Sequence, residues 1–322
     1  MQGLQLTEPV RNLLEEAEAL RPGHPIIFET MNDTTLLQRS AGAATVTDAS
    51  GRESIYLDPD RTDAYKIAHE IRHLILHRSG HPQMFYMLPD LGFEPLERRV
   101  ADEIDNILDH YTFNPRLDSL GLDPKPYKEW FVSVFDTWPT QKIQGPDVLI
   151  NAFKVLDGLL LGIPYRDQIV STVKRRQPQI LTLAQRIEER IVRSKETNEV
   201  SVRSAMVDIL DFLSRWITKQ IGHQQSLRKV IGISPLLTDK NVQKLASEVI
   251  NLISQPYRMN GRSLWLVALE LKSDNTRFHT HCFTDKLAEP AEVMTIRQQW
   301  QTEDLRTFLS LQGVGLAKPS QL

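Results

Sequence analysis

Apolar residues recur at helical spacing from Val10 to Leu20, and the pattern predicts an amphipathic helix opened by Thr7-Glu8-Pro9 and closed at Pro22-Gly23. His24 to Thr30 predicts a strand. Leu36 to Leu57 predicts further extended structure, with a turn at Asp48 to Arg52 and a last strand at Ser54 to Leu57. After the Asp58-Pro59-Asp60 turn, Ile67, Ile71, Leu74 and Ile75 make the apolar stripe of a second helix, which Thr62 or Asp63 can cap and Gly80-His81-Pro82 ends. An irregular, proline-containing loop from Met84 to Phe93 follows. A third helix is expected from Glu94 to Tyr111, with Leu96, Val100, Ile104, Ile107 and Leu108 inward and Asn114-Pro115 at its end.

The second half reads as mostly helical. Pro124 to Thr137 predicts a short helix rich in aromatic residues, and Pro139 to Pro146 predicts a linker. Helical periodicity then covers Asp147 to Leu161, Arg166 to Arg176, Ile180 to Lys195, Val202 to Gly222 and Thr238 to Ser254. Ser263 to Leu271 and Arg277 to Phe283 predict a hairpin turning at Lys272 to Thr276, and Ala291 to Leu311 predicts a closing helix. The expected fold class is α+β. A small sheet packed on helices would occupy residues 1–138, a helical domain 146–255, and a small α/β region of hairpin plus helix 256–322.

Composition narrows the setting. The 322 residues carry a formal net charge of −3 and a sequence pI of about 6.3, so no global basic field points to nucleic acid. Basic residues outnumber acidic ones between Arg166 and Lys229, but they are scattered among helices with no reading motif, and a solvated surface is expected. The single cysteine, Cys282, excludes a disulfide framework and favours a reducing compartment. The N-terminus lacks the basic start and apolar run of a signal peptide, and no apolar run is long enough to cross a membrane. A soluble, cytoplasmic protein is the expectation.

The chemistry is concentrated in the second helix, in His69-Glu70-Ile71-Arg72-His73. Residues four apart share a helix face, so both imidazoles can reach one metal ion, and Glu70 lies close enough to act on a water at that ion. A catalytic zinc ion needs a third protein ligand. A histidine-terminated extension of the motif would require glycine at 76 and histidine at 79, where this chain has Leu76 and Ser79. His77 lies a full turn farther along and is badly placed to converge. The acidic third helix supplies the alternative, with Glu103 the leading candidate and Asp102 and Asp105 its competitors. Glu103 shares a face with Asn106 and His110, and His110 or Tyr111 could stabilise an oxyanion. His279-Thr280-His281 on the later strand places two imidazoles on one face, as a metal site would, although ordinary strand residues are expected there.

This arrangement resembles the zincin metallopeptidases of the gluzincin type, and more distantly the ImmA/IrrE-like group, over roughly residues 1–115. The resemblance implies a zincin-like peptidase domain over 1–138, with Zn2+ held by His69, His73 and Glu103 and with Glu70 as general base. It implies a protein or peptide substrate. In such enzymes the strand before the metal helix offers an edge on which substrate lies extended, so Ser54, Ile55, Tyr56 and Leu57 are the candidate substrate-binding residues. The competing expectation is a zincin-like scaffold without turnover, used as a sensor or partner-binding module.

Overall fold

The computed structural model describes residues 6–31, 42–48, 51–88, 95–193, 198–222, 226–259, 262–284 and 288–314. The fold is mixed α+β and divides into two units: residues 1–81 with 106–189, and residues 82–105 with 190–322. The units cross the boundaries expected at 138–146 and 255. Among the described residues no helix is long and apolar enough to cross a membrane.

The first unit opens with helix α1 (Glu8–Leu20) and strands β1 (Ile27–Thr30), β2 (Ala43–Thr47) and β3 (Glu53–Leu57). The sheet order is β1-β3-β2, with β1 parallel and β2 antiparallel to the central β3. The expected extended structure before Gly42 lies outside the described residues. Helix α2 (Ala64–Ser79) follows, and the Asp63 side chain caps it by accepting from the Lys66 N–H at 2.9 Å. Gly80 ends α2 in the left-handed conformation, where glycine carries no Cβ penalty. Arg78 near that end is almost fully buried. Its guanidinium donates to the Glu53 carboxylate, to the Ala17 carbonyl at 2.8 Å and to the His24 carbonyl at 2.9 Å, joining α2 to α1 and β3.

The later helices of this unit are the second part of α3 (Leu96–Asp118), α4 (Lys125–Asp136), α5 (Asp147–Leu159), α6 (Tyr165–Arg176) and α7 (Pro178–Arg193). Helix α3 runs past the expected stop at Asn114-Pro115 and carries Pro115 in its last turn. The residues joining α4 to α5, expected as a linker, are held in place. Buried Gln177 donates its amide to the Pro139 and Gln141 carbonyls at 2.8 and 2.7 Å and accepts from the Ile143 N–H at 3.2 Å. A Cβ on Gly158 of α5 would lie 2.7 Å from the Ile169 side chain and 3.2 Å from the Phe131 ring, so the helix packs closely on both. These contacts bind residues 147–189 to the first unit.

In the second unit β4 (Met84–Tyr86) pairs antiparallel with β5 (Ile231–Ile233), a short ladder that the sequence pattern misses. The Asp105 carboxylate accepts from the Met84 N–H at 2.7 Å. Helix α8 (Glu199–Ile221) precedes β5, and α9 (Asp239–Val242) and α10 (Ala246–Val249) follow it. The helix expected over Thr238 to Ser254 is thus two single turns and the start of strand β6 (Ile250–Met259). Pairing decides this. Ten residues of β6 meet β7 (Arg262–Leu271), and β7 in turn pairs with β8 (Thr276–Thr284). The expected hairpin is therefore a three-stranded sheet, and Pro256 is tolerated because β6 is at its edge. The closing helix is two, α11 (Ala291–Thr302) and α12 (Leu305–Leu311), with Asp304 capping the second. Val267, Leu269, Phe278, Val293, Leu305 and Phe308 form the core of this sheet and its helices.

Candidate metal centre

Helices α2 and α3 bring three imidazoles together. His69 and His73 lie one turn apart on α2, and His110 projects from α3. The His110 Nε2 is 3.1 Å from the His69 Nε2 and 3.2 Å from the His73 Nε2. None of the three residues is more than 9% exposed. Phe113, one turn beyond His110, sets its ring edge-on to both His69 and His73 with centroids 5.1 and 4.9 Å away.

The far nitrogens are anchored. His73 Nδ1 meets the Asp109 carboxylate at 2.8 Å, and His110 Nδ1 meets the Asp157 carboxylate of α5 at 2.5 Å. Carboxylates accept, so each Nδ1 carries a proton and each ring turns its Nε2 edge toward the centre. His77 Nε2 also approaches Asp109, at 3.3 Å. Burial raises the Asp109 carboxyl, yet its bonds from His73 and His77 hold it well below the usual carboxylate range. Burial drives His69 well below the ordinary histidine value, helped by the neighbouring His110 and His73. For His110 burial works the same way, but the Asp157 carboxylate outweighs it and lifts the group above its ordinary value.

The donor set fits zinc. The three Nε2 atoms, with His110 Nε2 3.1 and 3.2 Å from the other two, lie near the ligand spacing of about 3.3 Å in a tetrahedron with Zn–N of about 2.0–2.1 Å. The rings are buried, and the His69 Nδ1 has no hydrogen-bond partner among the described residues.

Glu70 stands beside the centre. Its Oε2 accepts from the Thr45 hydroxyl of β2 at 2.8 Å. The Tyr127 ring of α4 is 5.2 Å from the His69 ring, and burial raises its phenol well above the ordinary value, so it stays protonated.

Of the residues expected from sequence, His69, His73 and His110 converge, with His110 among the metal-capable donors rather than at an oxyanion, and Glu70 lies near enough to act electrostatically on His110. Glu103 does not join them: among the described residues the donor groups are His69 with His73 and His110, and His73 with His77 and Asp109. Glu103 precedes His110 by seven positions, about 10 Å along the helix axis. Asp102 is exposed, and Asp105 is bonded to Met84. Tyr111 is half-buried and makes none of the ring contacts of the cluster. Ser54, Ile55, Tyr56 and Leu57 lie on the central strand, with ladders to β1 on one side and β2 on the other. Their main chain is therefore taken. Arg72 pairs with Glu16 of α1 at 3.6 Å. Asp109, Asp157 and Tyr127 were not anticipated. Only the adjacency of Asp109 to His110 carried a signal.

No family model, curated protein or solved structure matches this chain.

Proposed function

We propose that this chain is a zinc-dependent metallopeptidase of zincin type, acting in the cytoplasm on a protein or peptide. His69, His73 and His110 would hold the metal and Glu70 would serve as general base. The observation that carries the reading is the convergence of three Nε2 atoms, two of them aimed by carboxylates, beside the Glu70 carboxylate.

Zinc held by His69, His73 and His110 would supply Lewis acidity for a scissile carbonyl and would lower the pKa of a bound water toward ~7. Asp109 and Asp157 hold the imidazoles of His73 and His110 in the liganding tautomer. Glu70, fixed by the Thr45 hydroxyl, takes a proton from the attacking water and passes it to the departing amine. The Tyr127 phenol, kept protonated by burial, is available to donate a hydrogen bond to the developing oxyanion. Among the described residues β2 is an edge of the sheet, and its Thr45 touches Glu70, so an extended substrate would add to β2 rather than to β3.

Burial of all three imidazoles favours a second reading, a metal-holding sensor without turnover. Metal analysis and hydrolysis of a fluorogenic peptide library separate the two. The expected result is one zinc per chain, lost in His110→Ala and kept in Glu103→Gln. Glu70→Gln should keep zinc and lose hydrolysis by about 10²–10⁴-fold. Full activity in Glu70→Gln would sink the mechanism, and zinc without any hydrolysis by the native protein would leave the sensor.

A further inference from the structure

The outer edge of the three-histidine cluster carries a fourth imidazole. His77 lies one turn beyond His73 on the same face of α2, and their ring centroids are 6.4 Å apart. Its Nε2 is 3.3 Å from the Asp109 Oδ2, the oxygen that also accepts from the His73 Nδ1 at 2.8 Å. The His77 side chain is 33% exposed and that of Asp109 is 3% exposed. One donor therefore faces solvent, while the other is a carboxylate charge held inside the protein. Among the described residues His73, His77 and Asp109 place three donor atoms within 4.8 Å of one another.

We infer that His77 and Asp109 form an outer site for a second divalent ion of the zinc class. Spacing supports it. The 3.3 Å between the two donors matches the ligand–ligand distance of about 3.3 Å in a tetrahedron with metal bonds of about 2.0–2.1 Å. One imidazole nitrogen and one carboxylate oxygen are donors that zinc-class ions take, and the exposed side of His77 leaves room for water to complete the shell. A carboxylate offers about four lone-pair sites, so Asp109 keeps its bond from His73 while it binds the ion. Charge supports the site independently. Three carboxylates, Asp157, Asp109 and Glu70, act on the His110 imidazole. One zinc ion at the centre proposed above offsets two of those charges, and this part of the argument rests on that reading. Of the three carboxylates, Asp109 is the one that His77 reaches.

The test adds one equivalent of zinc to the full chain stripped of metal and then titrates cobalt(II), followed by d–d absorption and by X-ray absorption at both metal edges. Cobalt should bind as a second equivalent, at least tenfold more weakly than zinc, with a single imidazole in an otherwise oxygen shell and with the zinc retained. His77→Gln should weaken the cobalt step at least tenfold and leave the zinc step unchanged. The shells of the native protein decide the matter even where the variant fails to fold. With zinc on three imidazoles, any of four results overturns the outer site: two or more imidazoles around cobalt, release of zinc, a cobalt step unmoved by His77→Gln, or no cobalt bound at millimolar concentration. Zinc on one imidazole, weakened by His77→Gln, instead removes the three-histidine centre and keeps the outer site.

Discussion

Asp109 and Asp157 decide how the imidazoles of the first unit stand. Replacing either by asparagine keeps the volume but substitutes a neutral acceptor that can also flip to a donor. Asp109→Asn and Asp157→Asn should each weaken zinc binding about 10–100-fold in a chelator competition. An unchanged affinity would remove them from the centre. The histidines of β8 make a different prediction. The His279 pKa is depressed to about 4 in the folded chain, so its contribution to stability is complete above the unfolded value of about 6.5 and is lost as pH falls from there. The urea midpoint should drop between those two values in the native protein and drop less in His279→Gln. Equal slopes would refute the assignment. At this scale the sequence was most readable where chemistry is local. His69, Glu70 and His73 are fixed by the turn of one helix. His110, Asp157 and Tyr127 meet them only through the packing of three further helices, and no spacing encodes that.

Among the elements, β2 is the one whose placement matters most. Gly42 leads into it with φ +121, and a Cβ there would lie 2.8 Å from the Arg61 carbonyl oxygen. The same turn is tied by the Gly42 carbonyl, which accepts from the Asp58 N–H at 2.8 Å. Gly42→Ala should cost about 1–3 kcal/mol by urea unfolding, because both the torsion and the backbone neighbour oppose it. A neutral substitution would show that the turn can relax. Arg78 is the second lever. Arg78→Met leaves the Glu53 carboxylate buried with, among the described residues, the more distant Arg21 as its remaining cation, and a loss of about 3–5 kcal/mol is expected in the same assay. Helices α1, α2 and α4 to α8 were legible because each keeps an apolar stripe at helical period. Strand β6 was not. Its apolar positions suit either period, and its ten-residue ladder with β7 is long-range information that outweighs local propensity.

For the whole molecule, the chain does not divide where its composition changes. Pro139 to Pro146 has the residues of a linker, yet Gln177 bonds to it, Arg176 bonds to the Trp138 carbonyl just before it, and α5 to α7 belong with the unit that carries the three-histidine cluster. A fragment ending at Trp138 lacks Asp157 and the packing on Phe131, and it should fail to unfold cooperatively or to hold zinc. Cooperative, zinc-stabilised melting of that fragment would contradict this. The α+β class was readable from the sequence. The interleaving of the two units was not, because it rests on pairings such as that of β4 with β5 between residues far apart in the chain.

The buried Gln177 amide has a kinetic consequence. It clamps the segment that leads into α5, and α5 carries the carboxylate that steers His110. If zinc occupies the proposed centre, its escape would wait on a local breathing of that segment, and its residence time would report how often the clamp opens.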